Sequence, residues 1–202
     1  MPSTSSLKQK VTLEPVGPQH AAVIQRLASA PEITANTLLP EPYPPDGAEL
    51  WISYVEPRHA SGREYAFAVI GDAEEVVGVC GLVPSSDSSE AEMGYWIGVP
   101  FWGRGYASEA CRLLLRLAFR GLIGERVMAL PLAANTASRR VLERLNFRYT
   151  GTVPSPYAKW PSSVDMARYE ITRVEWLAQQ ASGKQSTGVE GEGGAKQKHD
   201  AR

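Results

Sequence analysis

Apolar and polar positions alternate over residues 10–16 and predict a first strand. Gly17-Pro18 ends it, and Pro suits the opening of a helix, where Ala21, Ile24, Leu27 and Ala28 recur at helical spacing. Residues 31–45 carry five prolines and read as a long loop. Asp46 is placed to cap a second helix bearing Leu50, Trp51, Tyr54 and Val55. Residues 64–70 and 75–83 are β-rich runs joined by Gly71-Asp72, a hairpin signal. After a polar turn at 84–89, residues 90–99 form a third member of this antiparallel meander, with Met93, Tyr95 and Ile97 on one face.

Beyond Pro100 the period changes. Ala107, Ala110, Cys111, Leu114, Leu117 and Ala118 predict a helix over about 105–120, followed by a short buried strand at 127–132. Asn135 opens another helix, with Ser138, Val141, Leu142 and Leu145 on one face. Residues 147–153 and 164–171 are the last strands, separated by a loop carrying Tyr157 and Trp160. From Ala181 the chain is rich in Gly, Lys, Glu and Gln without apolar periodicity, which predicts a disordered polar tail over 181–202; residues 1–9 read as a flexible N-terminus.

A chain of 202 residues with 43% hydrophobic content suits one domain with a real core. Lys+Arg is 21 against 22 Asp+Glu, a balance that argues against a general nucleic-acid binder. No apolar run approaches the ~18 residues of a membrane span, and the polar N-terminus lacks the apolar stretch of a secretory signal. Cys80 and Cys111 lie far apart in apolar stretches and read as buried thiols of a cytoplasmic protein. His20, His59 and His199 are scattered, so no metal site is expected.

The chemistry concentrates between Gly94 and Phe147. Gly103 and Gly105 alternate just before a helix, where absent side chains let the backbone approach a ligand. The free N–H groups and positive dipole end of that helix favour an anion, a phosphate being the obvious one, and Arg104 adds a charge within the turn. Alone, this turn is a weak signal, because the Walker and dinucleotide fingerprints are both missing.

Three blocks in order make it specific: Ala91-Glu92-Met93-Gly94-Tyr95-Trp96-Ile97-Gly98, Trp102-Gly103-Arg104-Gly105-Tyr106-Ala107-Ser108-Glu109-Ala110, and Asn135 through Phe147. Together with Val164-Asp165, Tyr169, Ile171-Thr172-Arg173 and Glu175-Trp176, they closely resemble the GNAT N-acetyltransferases, in particular the RimJ/RimL-type branch, over about residues 10–177. The resemblance implies a mixed α/β fold, a splayed and mostly antiparallel sheet flanked by helices. Acetyl-CoA would lie in the splay between the fourth and fifth strands. The pantetheine arm is expected on Ile97, Gly98 and Val99, the pyrophosphate on Gly103, Arg104, Gly105, Tyr106, Ala107 and Ser108, with Asn135 and Ser138 as further cofactor contacts.

Three positions depart from the wider pattern. Trp102 opens the glycine turn where Gln or Arg is usual, Leu142 replaces a frequent Tyr acid, and Asn146 stands for Gly. Asn tolerates left-handed angles, so that last turn survives. Ser138 remains as a hydroxyl donor to the leaving sulfur. Glu92 is the candidate base, acting through water. Parity puts Glu90 and Glu92 on one face and Met93 and Tyr95 on the other unless a bulge, expected from the family, intervenes. A backbone N–H near Ile97 would polarise the thioester carbonyl. The cysteines lack an adjacent His, which argues against a covalent intermediate.

The acceptor is a primary amine, either a protein N-terminus or a small molecule, and the loops at 31–45 and around Tyr157, Lys159 and Trp160 shape its mouth. A homodimer is compatible with the family. The alternative from another class is a non-catalytic acyl-CoA sensor on the same fold, which a Glu92 buried away from the cleft would favour.

Overall fold

The computed structural model describes residues 10–185. Residues 1–9 and 186–202, where a flexible N-terminus and most of the polar tail were expected, lie outside the described residues.

Seven strands form one sheet: β1 (Thr12–Pro15), β2 (Tyr65–Ile70), β3 (Val76–Pro84), β4 (Glu90–Ile97), β5 (Arg126–Ala129), β6 (Arg148–Pro154) and β7 (Asp165–Thr172). The order is β1-β2-β3-β4-β5-β7-β6, antiparallel at every pairing except β4 with β5. This is the splayed, mixed sheet expected from the sequence. β2 reads YAFAVI and is buried on both sides, which explains its unbroken apolar run.

The two sheet faces have separate cores. Helix α4 (Tyr106–Leu117) buries Tyr106, Ala110, Cys111, Leu114 and Leu115, an i, i+4, i+8 stripe, against Ala91, Met93 and Ile97 of β4. On the opposite face α1 (Ala21–Ala28) and α3 (Gly47–Ala60) cover Ala66, Ala68 and Val79. α5 (Thr136–Arg144) flanks β5, and its Leu142 is fully buried in the α4-side core.

Several boundaries differ from expectation. The helix after the glycine turn stops at Leu117 and runs into a π turn, Ala118–Leu122. The proline-rich stretch contains a one-turn helix, α2 (Pro31–Thr34), opened by its proline. Asp46 occupies the N-cap position of α3 but its side chain makes no capping bond. Gln25 of α1 does the work instead, accepting the Ala48 N–H at 2.9 Å. Finally, α6 (Arg173–Gln185) extends past Ala181, so the expected polar tail begins as the last turn of a helix. Thr172 and Glu175 start α6 reciprocally: the Glu175 carboxylate accepts the Thr172 N–H at 2.7 Å, and the Thr172 hydroxyl accepts the Glu175 N–H at 3.2 Å.

Candidate active site

β4 pairs with β5 only from Glu90↔Arg126 to Glu92↔Met128. Beyond Ala129 the chain leaves β4 and follows β7: Leu132 bridges Met166, and the Ala133 N–H donates to the Asp165 carbonyl at 2.9 Å. The edge of β4 from Met93 to Ile97 is therefore open. The Glu90 carbonyl accepts from Ser85 N and the Gly98 N–H donates to the Val77 carbonyl, both toward β3. Alternation then turns the backbone groups of Met93, Tyr95 and Ile97 into the opening.

The expected bulge in this strand is absent. The β3–β4 register runs unchanged from Pro84↔Ala91 to Gly78↔Ile97. The splay arises because β5 departs, not because β4 bends. Gly98 does not line the cleft: its N–H is held by Val77 and its carbonyl accepts from Phe101 N. Val99 also lies off the lining, its carbonyl accepting from Trp102 N. Ile97 does line the cleft, with its carbonyl already bound by the Trp102 indole N–H at 2.5 Å, which leaves its N–H facing outward. Trp102, the departure at the start of the glycine turn, thus ties that turn to the end of β4.

Gly103 and Gly105 both adopt left-handed angles, with φ of 74° and 85°. A Cβ at either would meet nothing within 4 Å. The turn is therefore glycine-requiring for its backbone and open above it, the geometry of an anion cradle at the N-terminus of α4. Gly103, Gly105, Ala107 and Ser108 line the cleft. Tyr106 lines it too. Its side chain is buried, and its hydroxyl donates to Asp72 at 3.0 Å, anchoring the start of α4 to the β2–β3 turn. Arg104 points elsewhere: it is exposed, its guanidinium carbon lies 5.8 Å from the Phe101 ring centroid, and it does not line the cleft.

Across the opening, Asn135 caps α5 by accepting the Ser138 N–H at 3.0 Å. The Ser138 hydroxyl lies 2.8 Å from that of Tyr95, which also donates to the Ser138 carbonyl at 3.1 Å. Burial pushes the Tyr95 phenol well above its ordinary range, so it stays a neutral donor. No spacing rule links these residues, and Tyr95 is a site residue that sequence reasoning missed. Asn146, at φ 59°, holds the left-handed angle normally given to Gly.

Glu92 lines the same cleft and accepts a hydrogen bond from the Tyr157 hydroxyl. Burial, then the neighbouring carboxylate, raise the Tyr157 phenol far above its usual range, which keeps its proton on oxygen. The Tyr157 loop is strapped to the proline-rich segment by Lys159, whose ammonium donates to the carbonyls of Thr34, Thr37 and Leu39. Burial lowers the Lys159 pKa from its ordinary value, with Glu41 acting in the opposite sense. The whole cleft has a volume of about 1130 Å³. Cys80 and Cys111 are fully buried free thiols with raised pKa, so neither is a ready nucleophile.

A strand edge freed by a departing neighbour, with a glycine cradle at one end and a carboxylate at the other, suits an acyl-CoA thioester and an amine. The Acetyltransferase (GNAT) domain profile matches residues 10–148. The chain belongs to the GNAT acetyltransferases. It is an acetyl-CoA-dependent N-acetyltransferase of that family. One relative, FsC-acetyl coenzyme A-N(2)-transacetylase of Aspergillus fumigatus, is 28% identical over 186 residues, 85% of this chain and 77% of its own. Among solved structures, RimL ribosomal L7/L12 alpha-N-protein acetyltransferase with coenzyme A superposes with a TM-score of 0.71 at 18% identity, covering 82% of this chain and 96% of that one. The spermidine N-acetyltransferase of Vibrio cholerae with CoA and spermine gives 0.71 at 19% identity, over 83% of this chain and 98% of its own. At these identities the two structures speak for the fold alone.

No helix among the described residues is long and apolar enough to cross a membrane, and no group of three or more His, Cys, Asp or Glu side chains there is placed to hold a metal.

Proposed function

We propose that this enzyme, of the RimJ/RimL-type branch, acetylates a primary amine by direct attack within a ternary complex, with Glu92 as the base. The acceptor is a protein α-amino group or a small-molecule amine. The observation that carries this reading is the placement of Glu92: it lines the cleft at the last β4–β5 pairing, where the sheet opens, instead of lying buried away from it as a sensor would allow.

In this mechanism the diphosphate of acetyl-CoA rests on the N–H groups at Gly103, Gly105, Ala107 and Ser108. Its pantetheine arm pairs with the outward backbone of β4, and Asn135 and Ser138 face it from α5. The amine nitrogen attacks the thioester carbon, and the outward N–H of Ile97 stabilises the oxyanion. The C–N bond forms, the C–S bond breaks, and the ammonium proton passes through water to Glu92. The leaving thiolate is protonated by a water held on the Ser138 hydroxyl, which the neighbouring Tyr95 phenol orients, so the serine keeps its proton and hydroxide is neutralised by solvent. Isothermal titration with acetyl-CoA, followed by thiol release on adding amines, tests the reading. Binding with amine-dependent release supports it, and binding without release by any amine contradicts it. A cytoplasmic location, read from the two cysteines, and a homodimer accompany the proposal as expectations.

A further inference from the structure

We propose that the acceptor is a singly charged primary amine carried on an aromatic or large apolar body, and that this body lies in a trough over Gly94, the exposed end of a row of small residues that runs from Ala66 through Gly81. The proposal rests on the acetyl-transfer reading above and names its substrate class.

Register builds the trough. Ala66 opposes Gly81 across β2–β3, and Gly81 opposes Gly94 across β3–β4. Directly opposed residues share a face, so these three small residues form one cross-strand row, buried under α3 at Ala66, closed at Gly81 by the Tyr65 carbonyl, and exposed at Gly94. Two residues along β4 in one direction stands Trp96, opposite Val79. Two residues in the other stands Glu92, opposite Val83. The row is thus a channel one residue wide, with an indole at one end and the candidate base at the other, on the face covered by α3.

The open side of the channel is apolar. Leu50, Trp51 and Tyr54 of α3 line the cleft, although the inward face of α3 is Ala48, Ile52 and Val55. Leu50 is 59% and Tyr54 57% exposed, which is a poor use of such side chains unless something covers them. A Cβ added at Gly94 would meet nothing within 4 Å, so the floor is vacant above that residue. Tyr43, another lining residue, has a buried hydroxyl without a hydrogen-bond partner among the described residues.

Charge limits the acceptor to one cation. The acidic residues lining the cleft are Glu32, Glu64 and Glu92. Glu64 is bound by the Arg58 guanidinium at 2.9 Å, and Glu32 is exposed in the first turn of α2. Of these only Glu92 lies on the strands that form the row, so a polyamine would have to carry its further ammonium groups past Leu50, Trp51 and Tyr54.

The test compares 2-phenylethylamine, propylamine and spermidine in two assays: acetyl transfer by thiol release, and direct calorimetric binding to the protein saturated with CoA. We expect kcat/KM for phenylethylamine to exceed that for propylamine on the order of 30-fold, the yield of taking a phenyl ring out of water. Gly94→Leu fills the floor and abolishes that preference. Because the Gly94 backbone groups face β3, acetyl-CoA affinity stays unchanged. Leu50→Asp, at an exposed position that the core does not use, lowers the preference without threatening the fold. Equal kcat/KM for the two monoamines, a preference for spermidine, or an unaltered preference in both variants overturns the trough while leaving acetyl transfer standing. Binding of phenylethylamine without release by any amine upholds the trough and refutes the transfer reading.

Discussion

Replacing Gly105 by Val separates the fold from the cofactor site. At φ 85° a branched residue is strained by about 1–2 kcal/mol. The added Cβ meets nothing within 4 Å, so no clash adds to that figure. For a chain of this size each kcal/mol lowers Tm by roughly 2–4 °C, so the variant should melt about 2–8 °C lower and still fold cooperatively. Its effect on acetyl-CoA is larger. The two methyl groups occupy the space above the first-turn N–H groups of α4. Displacing an anion from two charge-assisted hydrogen bonds, each worth about 1.5–3 kcal/mol, weakens binding at least about 100-fold. Gly105→Ala carries most of the strain but less bulk, and should fall between wild type and Val in affinity with a similar Tm. Thermal melts and calorimetric titration with acetyl-CoA read both quantities on one preparation. A folded Val variant that binds within a factor of about three of wild type, a difference under 1 kcal/mol, would refute the placement of the diphosphate on this turn.

Other perturbations address single links. Glu92→Gln should lower kcat by about 10²–10⁴ with acetyl-CoA affinity unchanged; an unaltered rate across pH removes Glu92 from the mechanism. Asn135→Ala should lose about 1 kcal/mol of capping, whereas Asn135→Ser keeps the cap. A fall in acetyl-CoA affinity shared by both variants marks a cofactor contact, and an affinity that tracks Tm leaves Asn135 a cap alone. Asp87 accepts hydrogen bonds from Ser89 N and from the Ser85 and Ser89 hydroxyls, which hold its carboxyl down to about 2. Because the folded pKa is depressed, its contribution is present above the unfolded value near 4 and is lost as pH falls toward 2. Asp87→Asn should flatten that part of the acid limb in pH-dependent melts, and identical curves for the two proteins would count against it.

The sequence pattern reached the site unevenly, for physical reasons. Strands β2 to β4 and helices α4 and α5 were legible because each buries one periodic face or both. Gly103 and Gly105 were legible because only glycine readily takes left-handed angles at both positions. α6 was not, since Val174 and Leu177 are 77% and 50% exposed and blur its apolar stripe. The bulge drawn from family resemblance failed because the opening depends on where the chain after β5 goes, a choice made by its pairing with β7. The Tyr95–Ser138, Tyr157–Glu92 and Lys159–Thr37 contacts join residues 43, 65 and 122 positions apart, beyond any local period. Glu92 and Ser138 were found as residue types in a motif; their partners became visible only in three dimensions.

The side chains that build the mouth of the cleft are held by different means than those that build its cofactor wall. The wall rests on regular elements, β4 and the ends of α4 and α5. The mouth rests on two loops joined through one partly buried ammonium, Lys159. Acceptor selection can therefore vary while cofactor binding stays fixed.

The most direct test of the central claim is a calorimetric titration with acetyl-CoA followed, on the same sample, by thiol release with and without a primary amine, in wild type and Glu92→Gln. The account predicts one-to-one binding by both proteins, and amine-dependent thiol release that is fast in wild type and strongly reduced in the variant. Equal release by the two proteins, or release independent of amine, would contradict it.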